Sequence, residues 1–142
     1  METYLDIPFR CADIIAKKDA ARVDIKTSIH NMIHLITVTS YNEVRHDPFF
    51  GTEIWKYDFE NIYNTHFLKD ELKKSISVSI QNNEKRLINI QIDLQIEQVE
   101  VSSRIYNKRI KTQIRLLVSG VIEKTNERFE HKETFFIGPL SY

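Results

Sequence analysis

Two periodicities divide the chain. From Asp24, the residues Ile25, Ile29, Met32, Ile33 and Ile36 recur at helical spacing and predict an amphipathic helix over 24–40. Its β-branched residues have modest helix propensity, so tertiary packing must hold it. Asp58 is placed to cap a second helix over about 59–81, with Ile62, Leu72, Ile76 and Ile80 along one face. The SISVSI end of that segment also alternates with a strand period, but helix is the reading taken. From Ile88 the period becomes two. Ile88, Ile90, Ile92, Leu94 and Ile96 alternate with Asn89, Gln91, Asp93, Gln95 and Glu97. The apolar residues then move to Val99 and Val101, a one-residue phase change that predicts a β-bulge at Gln98. Ile110, Thr112, Ile114, Leu116, Val118 and Ile122 mark a second strand, and Phe129, Phe135 and Ile137 a third. Links at 102–108 and 124–127 are short enough for hairpins, so the strands are expected to run antiparallel.

The remaining segments are less regular. Residues 1–22 read as an extended arm, since Pro8 disfavours helix at the residue before it, with a short helical turn in the KKDAAR stretch. Residues 41–58 form a loop punctuated by Asp47, Pro48 and Gly51, yet it carries Phe49, Phe50, Trp55 and Tyr57. A loop this aromatic is expected to dock on the body of the protein through Asp47, Pro48, Phe49, Gly51 and Trp55. The fold class is therefore α+β in a single domain, 1–142. An N-terminal arm over 1–22 is followed by a helical part over 24–81, whose two main helices pack on a three-stranded antiparallel β-meander over 87–137.

Strand length adds a functional hint. A strand over 87–101 spans roughly 50 Å at ~3.3 Å per residue, whereas typical strands hold ~5–6 residues. The distal hairpin, about 97–115, is therefore expected to project and to pair with another chain, because open edges either aggregate or are completed by a partner. Val99, Val101, Ile110, Thr112 and Ile114 are the residues expected to carry that pairing.

Composition narrows the function mostly by exclusion. Of 142 residues 42% are hydrophobic, enough for a true core, and twenty basic residues offset twenty acidic ones. That balance lacks the basic excess used to neutralise nucleic-acid phosphates. Thr27–Asn42, the longest stretch without acid or base, holds two His and two Asn and falls short of the ~20 apolar residues of a membrane span. Neither a signal peptide nor membrane insertion is expected. Cys11 is the sole cysteine, so no internal disulfide or multi-thiolate metal site is possible, and a reducing, cytoplasmic setting is the plain reading.

The search for chemistry finds little. His30 and His34 have metal-ligand spacing on the first helix, but no third ligand has a claim, and they read as helix residues beside the apolar stripe. His46, His66 and His131 are scattered. Glu53, Asp58 and Glu60 lie in or beside the aromatic loop, where acids at a helix start act more often as caps than as a glycosidase pair. With three glycines in the chain there is no Gly-rich phosphate loop. No catalytic residue, metal, cofactor or small-molecule substrate is assigned. The segment that stands out is Glu84-Lys85-Arg86, directly before the long strand. Its bland reading is a solvated turn. In the sharper reading, the Arg86 fork grips a partner's carboxylate or carbonyls while Glu84 accepts from its amides.

Taken in order, these segments resemble the baseplate wedge proteins of contractile phage tails and their type VI secretion relatives, a family sometimes labelled "lysozyme-like". The likeness is carried by Ser28, Ile29 and Ile33, then Leu35, Ile36 and Thr37, then Asn42 to Arg45 with Asp47, Pro48 and Gly51. The second helix, the Glu84 and Arg86 junction and a terminal meander follow, so that it spans roughly residues 5–137. In that family the junction usually reads Glu-Pro-Arg; here Lys85 replaces the proline and the φ it would fix. The resemblance implies that Glu84, Lys85 and Arg86 contact a helical bundle of larger wedge subunits. It also implies that the β-strands are offered to the first ring of sheath protein, templating its assembly. The implied setting is the bacterial cytoplasm within a baseplate, or a virion tail. Arg86→Ala is then expected to keep the fold and lose the wedge partner. A peptidoglycan-cleaving enzyme and a free-standing β-ribbon dimerisation module are the rival readings.

Overall fold

A computed structural model describes residues 2–8, 10–17, 20–57, 65–102 and 108–137. The chain is α+β, as the periodicities predict. The N-terminal arm holds β1 (Tyr4–Leu5), α1 (Cys11–Lys17) and β2 (Arg22–Val23); the main body holds α2 (Ile25–Val38), α3 (Thr65–Asn83), β3 (Leu87–Ser102), β4 (Lys108–Ile122) and β5 (Glu127–Ile137). The strands β3, β4 and β5 form one antiparallel sheet in that order, so β4 is central.

α2 starts where the sequence places it. Asp24 stays extended and its Oδ1 accepts from the Thr27 amide at 3.2 Å, satisfying one of the orphan donors of the first turn. Ile29, Ile33 and Ile36 then fall on one stripe and are fully buried. α3 buries Leu68, Leu72, Ile76 and Ile80, and its SISVSI end is helical. Asp58, Glu60 and Ile62 lie outside the described residues. Both helices face the same side of the sheet, where Ile92, Leu94, Ile114, Leu116, Val118, Phe129 and Phe135 complete the core.

The bulge sits elsewhere than the sequence pattern suggested. Gln98 pairs with Thr112 in an unbroken register running from Gln91–Ser119 to Ser102–Lys108. The slip lies between Ile88 and Gln91, where Asn89 and Ile90 together oppose Gly120. Asn89 takes φ +54, and a Cβ on Gly120 would meet the Ile88 carbonyl oxygen at 3.0 Å, so a small side-chain-free partner fits the bulge. The slip turns Leu87 inward and leaves Ile88 40% exposed. The change at Val99 is therefore no bulge. The first turn of α3 (His66, Lys69) flanks Gln95–Glu97. With the register unbroken, Val99 and Val101 fall on the opposite face from Ile92, Leu94 and Ile96.

The arm is more structured than an extended segment. β1 pairs antiparallel with β2 (Tyr4–Val23, Leu5–Arg22) around α1. The stretch expected to carry a helical turn instead enters β2 at Arg22, and residues 18–19 fall outside the description. Asn31 of α2 donates to Asp6 Oδ1 at 3.0 Å, which ties the arm to the body. Among the described residues no helix is long and apolar enough to cross a membrane.

The loop after α2 meets the body through Gly51 and Trp55, whereas Asp47 and Pro48 are exposed and serve to close its turn. The Asn42 amide donates to Pro48 O (2.8 Å) and Phe50 to Asp47 O (3.1 Å), closing the turn. Gly51 has φ +113, and a Cβ there would lie 2.4 Å from the Thr39 carbonyl oxygen, so the loop crosses too close for a side chain. Its own carbonyl accepts from buried Ser79 at 2.5 Å. Trp55 Nε1 donates to Thr37 O (3.0 Å) while its ring meets Phe135 edge-on. Phe49 is the correction. At the turn's tip it is 82% exposed, because the turn closed by Asp47 and Pro48 aims it away from the body.

Candidate functional site

Two features draw attention: the α3–β3 junction and the end of the β3–β4 ribbon. At the junction the Glu84 amide still bonds back to Ile80 O (2.8 Å), and Lys85 Nζ reaches Gln81 O (3.1 Å), both covering last-turn carbonyls. The chain then reverses. Arg86 N and Nε donate to Glu84 Oε1 (3.1 and 2.7 Å), and Nη2 donates to Oε2 (2.7 Å). This is a fork-on-fork ion pair. Arg86 Nη1 also donates to Ser28 of α2 (2.8 Å), and the guanidinium lies 5.1 Å from the centre of the Tyr4 ring. The Glu84 bonds are the main reason the guanidinium is held firmly in its charged form.

Glu84 and Arg86 do point the same way, but towards each other. Glu84 is 2% exposed with both oxygens occupied, so it is not open to a partner's amides. The accessible parts are Lys85, which is exposed, and the Arg86 side chain, 26% exposed. Arg86→Ala would therefore strand a buried carboxylate, and the expectation that it leaves the fold untouched does not survive this geometry.

At the sheet, β3 has 16 residues and β4 has 15, against 11 in β5. The last β5 pair is Ile137–Thr112, and four β3–β4 pairs continue past it, Val99–Lys111 to Ser102–Lys108. The two-stranded ribbon thus begins later than residue 97. Ile114 and Thr112 are misassigned as partner residues. Ile114 pairs with Ile96 on one side and Phe135 on the other, Thr112 with Gln98 and Ile137, and both side chains are buried. Their backbone groups are already used. Val99, half-buried, and Val101 lie on the β3 edge, and Ile110 on β4 pairs with Glu100 in the ribbon. A groove of about 720 Å³, lined by Asp70, Lys73, Ser77, Ile90 and Asp93 among others, flanks the β3 edge.

A third feature was not foreseen. His30 and His34 of α2 meet His131 and Glu133 of β5. His30 Nδ1 lies 2.8 Å from His131 Nδ1, and His131 Nε2 lies 3.0 Å from Glu133 Oε2. His34 Nδ1 binds Glu133 Oε1, and Thr37 Oγ1 approaches Oε2 at 3.1 Å. Burial of Glu133 would raise its pKa, but the bonds from His131, His34 and Thr37 outweigh this and hold it below the ordinary carboxylate range. The only sequence signals were the four-residue spacing on α2 and the His-x-Glu alternation on β5. Among the described residues, no three His, Cys, Asp or Glu side chains form a group that could hold a metal ion.

With this geometry in place, the chain can be set beside known proteins. No family model matches it, and no curated protein is significantly similar in sequence. Its fold is shared. A crystal structure from Geobacter sulfurreducens, described as a candidate tail lysozyme, aligns over 87% of this chain and 100% of its own length, with TM-score 0.58 and 16% identity. At that identity the match establishes the architecture, including the helices on one face of an antiparallel sheet, and nothing about activity.

Proposed function

We propose that this chain is a structural, non-catalytic subunit of a contractile tail-like machine, of phage or type VI secretion kind. In this reading it joins larger baseplate wedge subunits to the first ring of sheath. The observation that carries the proposal is that, among the described residues, β3 and β4 continue as a pair for four rungs past the last pair with β5. Each main-chain hydrogen bond to an added strand would contribute about 0.5–1.5 kcal/mol, so several in register give useful affinity. The tail-related description of the similarly folded chain and the resemblance of the Glu84-Lys85-Arg86 junction support the same reading.

The division of labour follows from exposure. The Glu84–Arg86 pair braces α3, β3 and α2, while exposed Lys85 and the outer side of Arg86 meet the wedge bundle. Lys85→Glu is the informative variant, because it reverses charge at the surface without touching the buried pair. Co-expressed with the wedge and sheath subunits of the same machine, it is expected to melt only a few degrees below the wild type, since it gives up the exposed bond to Gln81 O at the end of α3, and to lose co-purification of the wedge subunits. Retention of them at the wild-type level would overturn the assignment. A sizing experiment on the isolated chain separates the remaining reading, since a free-standing ribbon module dimerises alone.

A further inference from the structure

The imidazole array between α2 and β5 has a proton capacity fixed by its geometry. A carboxylate only accepts, so His131 Nε2 carries the proton shared with Glu133 Oε2 at 3.0 Å. In neutral His131 this leaves Nδ1 as an acceptor, and His30 Nδ1 must then donate across the 2.8 Å gap. One added proton can sit on His30 Nε2 without disturbing that bond. A second must go on His131 Nδ1, which sets N–H against N–H at 2.8 Å. His131 is only 7% exposed, so water cannot easily separate the two charges.

We infer that α2 is latched to β5 by an imidazole pair that holds at most one extra proton, so that acidification unlatches the helix together with the N-terminal strand it carries. Two contacts transmit the motion. Ser28 of α2 holds Arg86, and Asn31 holds Asp6 of the arm. This latch does not depend on the partner assignment above.

The surrounding charges set the pH window. On α2 these are Asp24, Lys26 and His34, on β5 Glu127 and Glu133, and on the arm Asp6. Burial, then the charge of His131, lowers the affinity of His30 for a proton. A histidine whose folded pKa is depressed contributes stability that is full above the ordinary imidazole range and is lost as pH falls through it. Asp24 and Glu133 are both held below their ordinary carboxylate values. Between pH 7.5 and 5, imidazoles are therefore the groups around the latch that change charge.

Amide hydrogen exchange on the intact chain tests the latch. Protection factors of α2 amides, corrected for intrinsic rates, are expected to fall about tenfold or more from pH 7.5 to 5. Those of the central strand β4 are expected to change far less. His30→Gln keeps a donor towards His131 but cannot take a proton, and should abolish the difference for α2. The same pH sensitivity in His30→Gln would overturn the latch. So would nitrogen resonances showing His30 and His131 of the wild type each titrating independently near the free-imidazole value, a reading that stands even if the variant fails to fold.

Discussion

Glu84→Ala is expected to lower the unfolding free energy by about 3 kcal/mol, or roughly 10 °C in Tm. The reason lies in what the substitution leaves behind. The Arg86 guanidinium loses two of its hydrogen bonds in the half-buried junction, and the Arg86 amide loses its cover at the first step into β3. Arg86 also links α2 through Ser28 and packs on Tyr4, so the loss spreads to two further elements. The guanidinium keeps some contact with water, which places the effect at the low end of the range for a broken buried pair. Removing both partners should cost less than the sum of the single losses, because neither charge is then stranded. Urea unfolding of the two single variants and the double variant measures this directly. Additive losses would mean that the pair is not the brace described.

Ile114→Ala is expected to cost about 3–4 kcal/mol. Ile114 is fully buried at the centre of the sheet, paired on both sides, and α2 and α3 close over the face it occupies. Val99→Ala, one rung beyond the last pair with β5 and on the opposite face of the sheet from Ile114, should change stability by no more than about 0.5 kcal/mol. The contrast sets the buried inner face of the sheet against its outer face at the root of the ribbon. Chemical denaturation of both variants checks it, and similar losses at the two positions would mean that the ribbon is part of the core.

Much of this fold is legible in the sequence where one physical signal dominates. The stripe of Ile29, Ile33 and Ile36 after a capping Asp24 leaves little alternative to a helix, and the alternation from Ile110 to Ile122 describes a strand with a single buried face. The bulge was misplaced because Ile88 is apolar and continues an apparent alternation. The better signal was Asn89, a residue that tolerates φ > 0, opposite a glycine in the next strand, but that pairing is known only once the register is. Strands of two residues in the arm fall below any periodicity. The junction was legible as a site, but not its closure. Whether Glu84 and Arg86 reach outward or towards each other depends on a turn whose geometry no local pattern specifies. The His30–His131 contact joins positions 101 apart in sequence and has no local signature at all.

The proposed function rests on a ribbon that another chain's backbone completes. Hydrogen exchange over 99–102 and 108–111, measured on the isolated chain and again with sheath and wedge subunits present, addresses it most directly. The edge-facing amides of the ribbon are expected to exchange fast alone and to become protected on assembly, while β4 amides inside the sheet stay protected throughout. A complex that forms with those edge amides still exchanging at the free rate would contradict the account.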